Sequence, residues 1–91
     1  MKQMLAPQAP VVRTAKLDSL TFGNFFRLED GAGEVFFSRQ SGGFVVFCPV
    51  MEDGKVSRSQ KFIDGQKNVC VLRSLDLGIF AVELTDEQPS G

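Results

Sequence analysis

The sequence predicts an all-β domain, a small antiparallel meander, and three observations predict it. Turn signals recur along the chain: EDGAG (29–33), QSGG (40–43), EDG (52–54), IDGQKN (63–68) and DLG (76–78). Asp-Gly and Gly-Gly pairs favour tight turns, because glycine accepts the positive φ that hairpins require. The apolar segments between them are short and rich in Val and Phe, as strands are. No window holds a 3.6-residue apolar period over ten residues, so no long helix is expected.

Taken in chain order, residues 1–10 (MKQMLAPQAP) read as a flexible arm, broken by Pro7 and Pro10. No apolar run of secretory-leader length follows Lys2, and no stretch nears the ~20 apolar residues of a membrane helix. The expected compartment is the cytoplasm, with no membrane partner. A single β domain is expected over 11–84. TAKLDSL (14–20) suits either one helical turn or an irregular lead-in strand. NFFRL, EVFFSR, FVVFCPV, NVCVLRS and IFAVEL read as strands, and residues 85–91 as a frayed acidic tail.

Alternation within the strands carries more than their number. VCVL and IFAV are apolar on both faces, whereas a one-layer sheet with a wet face alternates apolar with polar. Both faces therefore need cover, and no helix is available. Curling into a five- or six-stranded SH3-like or OB-like barrel is the favoured solution, with a small β-sandwich as the alternative. The Phe25–Phe26 and Phe36–Phe37 doublets sharpen the point, since neighbours on a strand face opposite ways. Phe26, Leu28, Val35 and Phe37 are expected inward, and Phe25 and Phe36 outward.

Composition excludes several chemistries. The chain has 91 residues, a net charge of −1, and no His, Tyr or Trp. Without histidine there is no ordinary catalytic triad and no imidazole metal ligand. Cys48 and Cys70 stand alone in apolar runs, so buried free thiols are expected and no metal site. A disulfide requires their strands to be neighbours. Most carboxylates, among them Glu29, Asp30, Glu52, Asp53, Asp64 and Asp76, lie at turns, where solvation explains them. GAGEVF (31–36) leads into a strand, not a helix, so it lacks the geometry of a phosphate loop. No enzymatic activity, cofactor or metal is expected. The charge gives no footprint for non-specific duplex DNA.

Two constellations remain as binding candidates. One is the Phe-rich hairpin, with Phe25 and Phe36 outward beside Arg27 and Arg39, a pairing that suits protein hot spots and stacked bases. The other is KVSRSQKFIDGQK (55–67), where Lys55, Arg58 and Lys61 suggest a patch for an anion or acidic partner. Solvated charges that protect a sheet edge explain the same segment.

Residues 17–72 resemble a recurrent type of small bacteriophage-encoded protein. Leu20, Gly23 and Phe26 match its L-x-x-G-x-x-F leader. Phe36 and Phe37 match its aromatic second strand, Gly54 its glycine turn, and Phe62, Val69 and Val71 its closing motif. The resemblance implies a non-enzymatic module that binds and blocks a host protein, as anti-defence inhibitors do. A homodimer or a structural virion component are further readings. Asp30-Gly31 and Glu34-Val35-Phe36 also resemble the paired strands of cold-shock domains. That resemblance implies a single-stranded nucleic-acid or nucleotide binder, with Phe25 and Phe36 as its stacking residues.

Overall fold

The computed structural model describes residues 2–7 and 11–89. In chain order it has β1 (Arg13–Lys16), a 3-10 turn at Leu17–Ser19, β2 (Phe25–Leu28), β3 (Val35–Ser41) and β4 (Phe44–Pro49). These are followed by β5 (Val56–Ser57), β6 (Asn68–Leu72), a second 3-10 turn at Ser74–Leu77, and β7 (Leu84–Thr85). TAKLDSL thus contains both of its expected forms, a lead-in strand and then a helical turn. Among the described residues, no helix is long and apolar enough to cross a membrane.

β2, β3 and β4 form the expected hairpins. Gly42, at φ 60° in the β3–β4 turn, supplies the left-handed residue that a two-residue hairpin takes. β6 returns from far along the chain and inserts between β1 and β2, giving the antiparallel order β1-β6-β2-β3-β4. The fold is all-β, but the expected barrel is not formed. β1 and β4 stay at the two edges, and no ladder joins them among the described residues. Closure is unnecessary because irregular segments supply the second layer on each face.

The cross-strand register explains this arrangement. Phe25 stands opposite Phe37, and Phe26 opposite Phe36. The doublets are therefore in phase, two rings per face, rather than split as the sequence suggested. On one face Phe25, Phe37, Val35, Cys48 and Leu72 pack with Val56 and Ile79, under Met4, Ala6 and Leu84. β5 and β7, a short parallel pair, lie in this cover, a departure from the antiparallel meander. On the other face Phe26, Phe36, Val69 and Val71 pack with Leu17 and Leu20 of the first 3-10 turn region, beside Phe47 and Ile63. The rings meet across strands at 4.7 Å for Phe25–Phe37 and 5.7 Å for Phe26–Phe36, distances at which aromatic pairs attract. None of the four is more than 8% exposed.

Recruiting loops as cover corrects three segment readings. The described part of the N-terminal arm is docked: the Met4 amide donates to the Val50 carbonyl at 2.8 Å and the Ala6 amide to Gly33 at 2.7 Å. Residues 8–10 lie outside the described part. IFAVEL is not a strand, except where Leu84 begins β7. Ile79 turns in and Phe80 turns out. The C-terminal segment is held through Gln88, whose Nε2 donates to Ser59 Oγ at 3.0 Å, and residues 90 and 91 lie outside the described part.

Cys48 and Cys70 are both free and buried. They lie on β4 and β6, with β2 and β3 between. Three strand spacings put them roughly 14 Å apart, too far for a disulfide.

Alanine at Phe25, Phe26, Phe36 or Phe37 should cost about 3–5 kcal/mol each, a large share of a small domain's stability. Thermal melts should show four comparable losses. A near-neutral result at Phe25 or Phe36 would mean that one face is uncovered. The two thiols should react slowly with a thiol reagent until denaturant unfolds the chain, as burial dictates.

Candidate functional site

The seven residues singled out from the sequence do not converge. Phe25 and Phe36 were expected at the surface and are buried, one in each core. A base-stacking role requires an accessible ring face, and neither ring offers one. Lys61 lies over the Phe36 ring, its Nζ 5.5 Å from the centroid, and helps to close that core. Its amide also donates to the Phe47 carbonyl at 2.7 Å, on the outer side of edge strand β4. Arg58 pairs with Asp86 at 3.1 Å. The Arg39 Nη2 donates to the Arg58 carbonyl at 3.3 Å, while its Nε is buried without a partner. Lys55 follows the 52–54 turn, and its amide donates to Asp53 Oδ1. Arg27 lies on β2, two residues from Phe25, opposite Val35 and Cys70.

What remains exposed is a different set of rings. Phe22, Phe44, Phe62 and Phe80 are 56–87% exposed. Four of nine phenylalanines on the surface is a large share, since apolar rings go inside wherever room exists. Three of the four belong to one end of the sheet, where β2 begins, β6 ends and the β3–β4 hairpin turns. Phe22 and Phe44 line a groove of about 430 Å³ together with Leu20, Thr21, Gly43 and Val45. Phe80 and Val82 line another of about 320 Å³ against Gly23, Phe25, Phe37 and Ser74. Consecutive residues, Phe22 and Gly23, thus contribute to the two grooves, which meet at this step of the chain.

A buried serine holds that step. Ser38 on β3 is fully buried. Its hydroxyl donates to the Thr21 carbonyl at 2.8 Å and accepts from the Asn24 amide at 2.9 Å. The Gly23 amide donates to the Ser38 carbonyl at 2.6 Å, and Gly23 adopts a φ of 89° that favours glycine. Phe22 is thereby presented from a pinned turn, not from a loose loop. Ser38, Phe22, Phe44 and Phe80 were not among the residues that the sequence pattern singled out. The available signal was position, because Phe22 and Phe44 each adjoin a turn glycine, where no strand neighbour can cover a ring.

Electrostatics elsewhere is sparse. Lys67 Nζ donates to Asp30 Oδ2 at 2.8 Å. This hydrogen bond, reinforced by the Lys67 charge, holds the Asp30 carboxyl below the ordinary carboxylate range, and the same bond raises Lys67. Both groups are exposed. Among the described residues, no three His, Cys, Asp or Glu side chains gather as metal ligands do. No protein-family model, no curated protein and no solved structure matches the chain.

Ser38→Ala should cost about 1–3 kcal/mol, because it strands the Asn24 amide and leaves the Thr21 carbonyl only the Asn24 Nδ2 donor. Hydrogen exchange at Gly23 and Asn24 should rise more than at Val69, which lies in the sheet interior. The Asp30–Lys67 pair sets a pH window. Its stabilisation is present above the ordinary carboxylate pKa and is lost as pH falls through the depressed Asp30 value. At the alkaline end it is lost as pH rises through the raised Lys67 value. Asp30→Asn should lower the melting temperature slightly at neutral pH, less so in high salt, and leave it unchanged in strong acid.

Proposed function

We propose that the protein is a non-enzymatic binding module that engages another protein through the phenylalanine-rimmed end of its sheet. The observation that supports this is the exposure of Phe22 and Phe44 around one groove, beside Phe80 and Val82 around the next. Apolar area left on a surface marks an interaction site more often than a defect, and aromatic anchors dominate binding energy. The pinned turn at Ser38 supports the same reading, because a preorganised ring loses little freedom on binding. The resemblance to small phage proteins supplies the partner class, a host protein that is blocked by being covered. Two unpaired thiols fit a reducing cytoplasm as the place of action. The single-stranded nucleic-acid reading loses the two rings it depended on.

The test is affinity capture from host lysate with the wild type and with a Phe22→Ala/Phe44→Ala variant. Both substitutions are at exposed positions, so the double variant should melt within about 1 kcal/mol of the wild type. A protein should be captured by the wild type and lost by the variant. Its retention should change little between roughly 50 and 200 mM salt, where phosphate contacts would weaken by orders of magnitude. Recovery of nucleic acid with steep salt dependence, or undiminished capture by the variant, overturns the proposal.

A further inference from the structure

At the opposite end of the sheet a small open cavity lies beside one cation that, among the described residues, no acid pairs. Arg27 sits on β2, on the Phe25 face, with its side chain half-buried. Its cross-strand neighbours, Val35 and Cys70, carry no charge. The ion pairs among the described residues are Arg58–Asp86, Lys67–Asp30 and Arg73–Asp76, and none involves Arg27. Of the acids around the turn, Asp30 is engaged by Lys67, and neither Glu29 nor Glu34 forms an ion pair with Arg27.

Arg27 lines a cavity of about 220 Å³ whose other walls are Ala6, Pro7 and the turn Gly31-Ala32-Gly33. These walls are mostly backbone. Gly33 has a φ of 93°, a conformation that side-chain-bearing residues rarely adopt. The walls are also fixed. Ala6 is tied to Gly33 at 2.7 Å, the Val35 amide donates to Met4 at 3.0 Å, and Gln3 Nε2 donates to the Val35 carbonyl at 2.9 Å. Among the described residues, the amides of Ala32 and Gly33 donate to no backbone carbonyl. A guanidinium fork beside turn amides that no backbone carbonyl accepts from suits an oxyanion with two or more oxygens.

We infer that this cavity binds a small free oxyanion, a phosphate or a carboxylate, through the Arg27 guanidinium and the 31–33 turn. Its volume is below the ~300–1,000 Å³ of pockets that take larger organic ligands, so the ion or a short acid is the occupant. The site is independent of the phenylalanine rim, and neither requires the other.

Nuclear magnetic resonance titration of the whole, isotopically labelled protein tests this. Inorganic phosphate, acetate and chloride are added separately at matched ionic strength. Phosphate or acetate should shift the Ala32 and Gly33 amides and the Arg27 Nε–H in a saturable way, and chloride should not. Saturation by phosphate alone assigns the site to phosphate, and saturation by acetate assigns it to carboxylates. Arg27→Gln should weaken binding by roughly tenfold or more, the loss of a charge-assisted hydrogen bond. Arg27→Lys, which keeps the charge and loses the fork, should fall between. Absence of saturation with both oxyanions overturns the proposal, as does unchanged affinity in a folded Arg27→Gln variant. If that variant fails to fold, the wild-type map decides: saturable shifts centred on other residues, with none at 31–33, overturn the site.

Discussion

Everything in this fold depends on one requirement, that a single sheet apolar on both faces be covered twice without helices. The Phe25–Phe26 and Phe36–Phe37 doublets create the requirement, since each puts a large ring on either side of the same strand. A barrel satisfies it by curling. This chain satisfies it by folding its connections back, with 3-10 turns, a two-residue parallel pair and the N-terminal segment laid over the sheet. The segments between strands are therefore structural members. This explains why Lys61, which reads as part of a solvated basic segment, is tied to the Phe47 carbonyl and lies over Phe36.

The strands β2, β3, β4 and β6 and their turns were legible because Asp-Gly, Gly-Gly and β-branched runs act locally. The need for cover on both faces was legible from VCVL and from the doublets. The kind of cover was not, because it depends on which loop reaches which face, a tertiary matter that no short window records. The phase of the doublets failed for a definite reason. Each strand's alternation is fixed by its own residues, but the relative phase of two strands depends on their register. Placing Phe26 with Phe37 required an offset of one residue from the Phe26–Phe36 pairing observed. With that pairing Phe25 and Phe36 lie on opposite faces, and because both faces are covered both rings are core, which removes the site expected there. Basic residues were misjudged for a related reason: charge is visible in a sequence, but Asp86 beside Arg58 is not.

With the interior satisfied, the two ends of the sheet acquire opposite characters. One end exposes apolar rings from a turn fixed by Ser38. The other sets the Arg27 guanidinium beside an open cavity walled mostly by backbone. Both features lie at strand ends and turns, which a sheet can vary without disturbing its ladders. In proteins generally, such variable loops on a stable scaffold are where recognition is placed.

The position of β6 has a consequence for how the chain reaches this state. β1 and β2 are close in sequence but are not neighbours, and the strand between them, Asn68–Leu72, is made some forty residues after β2. During synthesis the β2–β3–β4 hairpins can pair as they emerge, while β1 has nothing to pair with. Both edges that β6 will occupy stay open until it arrives, and its insertion completes two ladders at once. Such non-local pairing is entropically slow. In the meantime an unpaired edge beside bare phenylalanine rings is the most aggregation-prone surface the molecule ever shows. β6 is therefore the last of the five strands to be made, and the gap between β1 and β2 the last place in the sheet to be filled.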